Sequence, residues 1–241
     1  MISVVIPARD EVRAIAGVVR RVGESLAGEA HEILVVDDGS RDGTGALARE
    51  AGARVLTLTG VGYGAAIKAG AAEARGSLLA LLDADGTYPE AALPELVAAV
   101  RSGARQAIGA RPKLGAAEPF ARSAVKALFR GAVRWLGGFE APDLNSGLRV
   151  LRTADLLSLA PVLPDRFSLT TTLTLALAAA GDPIVFLPIA YHARVGRSKW
   201  RPVRDTWLMG RTVARGIGWL REGRAPGALA ALELPAVGGT G

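Results

Sequence analysis

The chain has 241 residues, 50% of them apolar and 22% charged, with a formal net charge of +6; this suffices for one α/β domain of ordinary to large size, or two small ones, with a core that needs no staples. It has no cysteine and only two histidines, His31 and His192, which excludes disulfides, thiolate metal sites and cysteine nucleophiles and argues against histidine-rich zinc centres, so any metal should be a hard one held by oxygen. The positive balance points to an anionic partner: phosphate, nucleic acid or a membrane surface.

In chain order, short β-branched runs alternate with Ala-rich segments of helical period. "ISVVIP" precedes "EVRAIAGVVRRVGESL", "EILVVDD" precedes "TGALAREAG", "ARVLTL" precedes "GAAIKAGAAEARG", and "SLLALLDAD" precedes "PEAALPELVAAVRSG". Four strand-then-helix units predict an α/β fold with a mostly parallel sheet covered by helices on both faces. The strands are continuous apolar runs, as burial on both faces requires. Helix starts are marked by Ser40 and Asp42 before "TGALARE", and by Pro89 with Glu90. From about residue 112 the texture changes to a basic helix, "FARSAVKALFRGAVRWLGG", then a loop, "FEAPDLNSGLRVLR", a further helix and the strand "IVFLPIAY".

The start, "MISVVIP", is too short and uncharged for a signal peptide, which leads us to expect a mature cytosolic N-terminus. The longest apolar stretch, from Leu169, is cut by Gly181, Asp182 and Pro183, short of the roughly 20 residues that a membrane span needs. Residues 194–224 carry nine basic side chains against Asp205 and Glu222. Helical spacing gathers Arg204, Arg211, Arg215 and Glu222 on one side, which fits either a basic amphipathic helix on an anionic bilayer or a helix packed on the sheet with a solvated face. The tail, residues 225–241, is expected to be disordered.

Ligands of open parallel sheets bind beyond the carboxyl ends of the strands. Three acidic clusters fall there: "PARDE" after the first strand, "VVDDGS" after the second and "DADG" after the fourth. Any one alone reads as a cap or turn. Crowded at one edge, they call for a cation, and Asp83 and Asp85, one residue apart, can both turn toward one Mg²⁺ or Mn²⁺ carrying a nucleotide diphosphate. The glycines of "GVGYGAAIKAG" follow the third strand, whereas a dinucleotide fingerprint belongs after the first, and no P-loop lysine motif is present.

In this order and spacing, "ISVVIPARDE", "EILVVDDGSRDGT", "GYGAAIKAG", "LLALLDADGTYP", "PDLNSGLRVLR" and "RVGRSKW" resemble family 2 glycosyltransferases of the Rossmann-like GT-A fold. Within that family they are similar to the dolichyl-phosphate mannosyltransferase-like branch, which moves sugars from nucleotides onto polyprenyl phosphates. The resemblance implies that Glu11 and Asp38 touch the base and ribose, with Pro7, Ala8, Ala84 and Thr87 lining the same donor site. It makes Asp83 a support for the sugar nucleotide and Asp85 the main metal ligand. It implies that Arg111 faces the phosphates, that Arg122 and Lys126 receive the lipid phosphate, and that Arg194, Ser198 and Lys199 sit in a loop closing over the donor. Two departures stand out: Arg9 and Asp10 replace an aromatic and an Asn, and Gly86 and Thr87 replace a Leu and a metal-contacting Gln.

The implied reaction is an inverting, Mg²⁺- or Mn²⁺-dependent transfer from a GDP- or UDP-sugar to a polyprenyl phosphate. Residues 1–193 would form the transferase domain and 194–224 an acceptor loop and interface helix, in a cytoplasmic enzyme touching the inner face of the plasma membrane peripherally. A lipid phosphate is already anionic and demands no strong base. A soluble hydroxyl acceptor would need one, and Asp143 is then the candidate. A third alternative is a non-catalytic scaffold binding membranes or anionic polymers through its Arg-rich helix. Nucleic acid is not expected as a partner, because no aromatic platform or recognition motif accompanies the charge.

Overall fold

The computed structural model describes residues 1–111 and 140–192, together with 131, 210–212, 214, 215 and 218. Seven strands form one sheet: β1 (Ile2–Ala8), β2 (His31–Asp38), β3 (Arg54–Leu58), β4 (Leu78–Leu81), β5 (Gln106–Ala110), β6 (Arg149–Arg152) and β7 (Ile184–Pro188), in the order β3-β2-β1-β4-β6-β5-β7. All pairs are parallel except those of β6, which runs antiparallel to both β4 and β5. The described helices are α1 (Ile15–Ser25), α2 (Thr44–Glu50), α3 (Tyr63–Glu73), α4 (Leu93–Arg101), α5 (Thr153–Leu159) and α6 (Leu169–Ala179), with a 3₁₀ turn at Glu90–Ala92.

Alternate residues of the interior strand β1 feed two cores, which is why it is apolar except at Ser3, whose buried hydroxyl donates to Glu32. Ile2, Val4 and Ile6 pack with α1 and α4 on one face, and Val5 packs with α3, α5 and α6 on the other. On that second face α3 approaches closely at Gly70, where an added Cβ would stand 2.5 Å from Val5. Edge strands β3 and β7 are only partly buried along their lengths.

Three features depart from the sequence reading. Strand β5 was not anticipated, β6 lies within the stretch read as a loop, and two helices rather than one precede β7. A four-residue strand with arginine at both ends carries too little alternation to be told from a loop. The start of α2 is built differently as well: Gly43 occupies the N-cap position at φ +92°, while Asp42 accepts from the Thr44 amide and hydroxyl and Ser40 accepts from the Asp10 amide. The basic helix expected before residue 139 and the "RVGRSKW" loop lie outside the described residues. Of residues 194–224, the described positions Gly210, Arg211, Thr212, Ala214, Arg215 and Gly218 are helical, with Arg211, Ala214 and Arg215 exposed. Among the described residues no helix is long and apolar enough to cross a membrane.

Candidate functional site

Parallel pairing of β1, β2 and β4 brings the three acidic clusters to one rim. The β1 and β2 loops are laced together there. The Glu11 amide donates to the Thr44 hydroxyl at 2.8 Å, the Val12 amide to Asp42 at 3.1 Å, and the Arg41 amide to Asp10 at 2.9 Å. Asp10 takes a left-handed φ of 49°, a conformation that short polar side chains tolerate and that its two loop contacts hold. Burial works against the Asp42 charge, but the Thr44 hydroxyl and the Val12 and Thr44 amides outweigh it and hold the carboxyl below its usual range.

Asp38 is buried, and its two carboxylate oxygens accept from the Val61 and Gly62 amides at 2.7 and 2.9 Å. It therefore fixes the loop leading into α3. The start of α3 is closed by the chain itself: the Gly64 and Ala65 amides both donate to the Asp165 carbonyl, at 3.0 and 3.3 Å. An added Cβ at Gly62 would stand 2.8 Å from that oxygen, so the glycines admit another loop rather than a dinucleotide.

At the end of β4, the Tyr63 hydroxyl donates to Asp83 at 2.8 Å, and Gly147 lies flat against the same carboxylate. Burial first, then the Asp83 charge, pushes the Tyr63 phenol well up, so it remains a donor. Asp85 is 2% exposed and accepts from the Thr87 amide at 3.1 Å and the Thr87 hydroxyl at 2.6 Å. Thr87 thus orients Asp85 from beneath. The loop is pinned to α1 by a two-point pairing of Arg21 with buried Glu90, at 2.9 and 2.8 Å.

The next wall comes from Arg111 and Asp143. Arg111 donates to both oxygens of Asp143, at 2.6 and 2.8 Å, and its guanidinium lies 6.0 Å from the Tyr88 ring centre and 5.4 Å from that of Tyr191. Burial lowers the guanidinium's affinity for its proton, but the Asp143 hydrogen bonds more than restore it, for a net rise. Beneath lies Arg149, fully buried, donating to the Leu144, Ser146 and Thr170 carbonyls and the Thr174 hydroxyl. Burial pushes it down to about 10, and Tyr63, Tyr88, Asp143 and Asp83 act in the opposite direction. At neutral pH it is a buried positive charge under a carboxylate rim. The sequence reading missed it; a charged residue inside the apolar run "LRVL" was the available signal.

Of the predicted residues, Pro7, Ala8, Glu11, Asp38, Asp83, Ala84, Asp85, Thr87, Arg111 and Asp143 belong to this rim and its loops, with Pro7 paired to Val36, Ala8 to Asp37, and the Ala84 side chain in the core. Arg122, Lys126, Arg194, Ser198 and Lys199 lie outside the described residues. No group of three or more His, Cys, Asp or Glu side chains converges among the described residues. Asp83 and Asp85 alone still fit a Mg²⁺ or Mn²⁺ ion, because such ions bind through one or two carboxylates and take their remaining ligands from phosphate and water.

The family model described as glycosyl transferase family 2 matches residues 3–153. An uncharacterized glycosyltransferase of Mycobacterium tuberculosis (strain ATCC 25618 / H37Rv) is 32% identical over 81% of this chain and 87% of its own length. A dolichyl-phosphate hexose transferase of Haloferax volcanii is 28% identical over 89% of this chain and 92% of its own. The fold resembles that of glucosyl-3-phosphoglycerate synthase from Mycobacterium tuberculosis, crystallised with Mn²⁺, UDP-glucose and phosphoglyceric acid, with a TM-score of 0.70 at 22% identity over 90% of this chain and 80% of that one.

Proposed function

The chain belongs to glycosyl transferase family 2 and is a glycosyltransferase; from that premise we propose that it transfers a hexose, with inversion, from a GDP- or UDP-sugar to a polyprenyl phosphate. The observation that carries the acceptor is the Arg111–Asp143 pair. The carboxylate that a hydroxyl acceptor would need as its base has both oxygens taken by a guanidinium, so the rim suits an acceptor that is already anionic. The likeness to a dolichyl-phosphate hexose transferase over nearly the full length of both chains supports the same choice.

Asp83 and Asp85 would hold Mg²⁺ or Mn²⁺, which when bound would offset the negative charge growing on the leaving diphosphate. The chain's own residues prepare that site. Thr87 and Tyr63 each donate to one of the two aspartates and fix its rotamer. Arg149 offsets from below the repulsion of the crowded carboxylates. Asp38 and Asp42 hold the nucleotide-side loops in one conformation before the donor arrives, so less ordering is left to binding. The Arg-rich segment 194–224 would supply peripheral contact with an anionic membrane.

The test is hydrolysis and transfer with GDP-, UDP- and dTDP-sugars, Mg²⁺ or Mn²⁺, and a short polyprenyl phosphate. Asp85→Asn is expected to lower metal-dependent transfer by about 10²- to 10³-fold. Failure of every sugar nucleotide to bind with metal present would overturn the reading. Transfer to a soluble hydroxyl compound with none to the lipid phosphate would overturn the acceptor.

A further inference from the structure

Thr87 fixes the Asp85 carboxylate from within the turn Asp85, Gly86, Thr87, so wherever the turn sits the carboxylate sits. That turn rests on α1. Gly86 stands at φ +72°, and a Cβ there would meet Arg21 Nη2 at 3.8 Å and the Ala14 methyl at 4.0 Å. Four residues on, Glu90 is 5% exposed; its carboxylate oxygens accept from Arg21 Nε and Nη2 at 2.9 and 2.8 Å, and its carbonyl accepts from the Ser25 hydroxyl at 2.8 Å. A two-point pair of this kind fixes direction as well as distance. Gly17, one helical turn before Arg21, leaves the space that the guanidinium fills, because a Cβ there would stand 3.0 Å from Nη1.

The other end of α1 belongs to the nucleotide side of the rim. The Glu11 carbonyl accepts from the Ala14 and Ile15 amides, both at 3.0 Å, while the Glu11 and Val12 amides are held by Thr44 and Asp42 at the start of α2. One 11-residue helix, about 16 Å long, thus joins the loop after β1 to the loop after β4. Ile15, Val18, Val19 and Val22 bury its inner face, which makes it a strut between the two loops.

We propose that Arg21 is a positioning residue that sets Asp85 against the nucleotide-side loop, and thereby the affinity for a divalent cation carried by a nucleoside diphosphate. Its action runs through Glu90 and Gly86. This role presupposes the glycosyl-transfer reading of the rim.

The experiment uses the full chain and measures Mn²⁺ binding by water-proton relaxation in the presence of UDP or GDP, calorimetric binding of UMP and GMP without metal, sugar-nucleotide turnover at saturating Mn²⁺, and a thermal melt. Arg21→Gln is expected to weaken Mn²⁺ binding about 10-fold and to lower kcat about 10-fold, with monophosphate binding within about twofold of wild type. Arg21→Lys keeps the charge but not the two-point pairing, and is expected to stay within about threefold of Arg21→Gln. Gly17→Ala crowds the guanidinium while raising helix propensity; it is expected to weaken Mn²⁺ binding about threefold with an unchanged or higher melting temperature. A purely structural clamp would make affinity and melting temperature fall together, so Gly17→Ala carries the test where Arg21→Gln does not fold. Full recovery by lysine, or equal loss of monophosphate and diphosphate binding, overturns the role of Arg21. Wild-type protein that binds no Mn²⁺ with either diphosphate overturns the glycosyl-transfer reading and this role with it. Wild type that binds Mn²⁺ while the folded variants bind it equally well overturns this role alone.

Discussion

Replacing Gly147 with alanine adds one methyl group at the point where the loop before β6 touches the β4 aspartates. An alanine Cβ there would stand 2.5 Å from one Asp83 oxygen, 2.6 Å from the carboxyl carbon and 2.7 Å from the other oxygen. Ordinary contact begins at 3.4 Å, so the carboxylate must retreat by about 0.9 Å, a displacement of the size that costs about 10²-fold in rate when it moves a catalytic group. Retreat also strains the 2.8 Å hydrogen bond from Tyr63. The backbone at Gly147 is not in the left-handed region, so the fold itself should tolerate the change, at a cost within the range of about 1–3 kcal/mol for overpacking. The assay is metal-dependent sugar-nucleotide turnover, set beside a thermal melt. We expect kcat/KM to fall about 100-fold, equivalent to about 2.7 kcal/mol of transition-state stabilisation, with the protein still folded. Gly23→Ala is the control, because nothing lies within 4 Å of a Cβ built there. It should leave turnover unchanged and stabilise α1 by about 0.5–1 kcal/mol. A folded Gly147→Ala protein whose turnover stays within about threefold of wild type would refute the claim that Asp83 must sit where the glycine lets it sit.

Two further predictions concern the charges that support the site. Arg149→Met leaves the buried Leu144 and Ser146 carbonyls without the guanidinium that donates to them, while the Thr170 carbonyl keeps the Thr174 hydroxyl, and should cost about 1–3 kcal/mol in urea unfolding for each acceptor left unpaired; an unchanged midpoint would mean that the guanidinium is not what holds this loop. Glu32 accepts from Ser3, the Arg75 amide and Arg54; burial opposes its charge, but these bonds outweigh it and keep its carboxyl below the usual range. A depressed carboxylate contributes stability above its unfolded pKa and loses it as the pH falls through the folded one. Glu32→Gln should therefore cost about 1–3 kcal/mol near pH 7 and progressively less toward about pH 3, and a cost independent of pH would contradict this.

The half of the fold built from β1 to α4 was legible because each unit obeys one rule at a time: apolar runs for strands buried on both faces, and helical period for the layers over them. What escaped was antiparallel β6, whose four residues gain their identity from β4 and β5 on either side rather than from local pattern. The same holds at the site. Asp83 and Asp85 announce themselves by standing at the end of an apolar run. The partners that set their geometry, Tyr63, Gly147 and Arg149, come from distant parts of the chain and read locally as a helix start, a turn and a stray charge. Asp38 was legible as an acidic residue at a strand end, but its grip on the Val61 and Gly62 amides required the β3–α3 loop to be in place.

The clasp between Arg111 and Asp143 has an evolutionary consequence. The chain leaves the sheet after Ala110 and re-enters it before Arg149, and β5 and β6 are neighbours, with the Gly109 amide bonded to the Leu148 carbonyl at 3.0 Å. Exit and return are buckled side by side by one ion pair. A sheet closed in this way sets no length for what lies between, so the intervening sequence can be lengthened, shortened or exchanged while the aspartates stay in register. The strand framework on either side of the buckle can then be kept while the sequence between Arg111 and Asp143 varies, and a chimera carrying a relative's segment between these two residues should keep its fold.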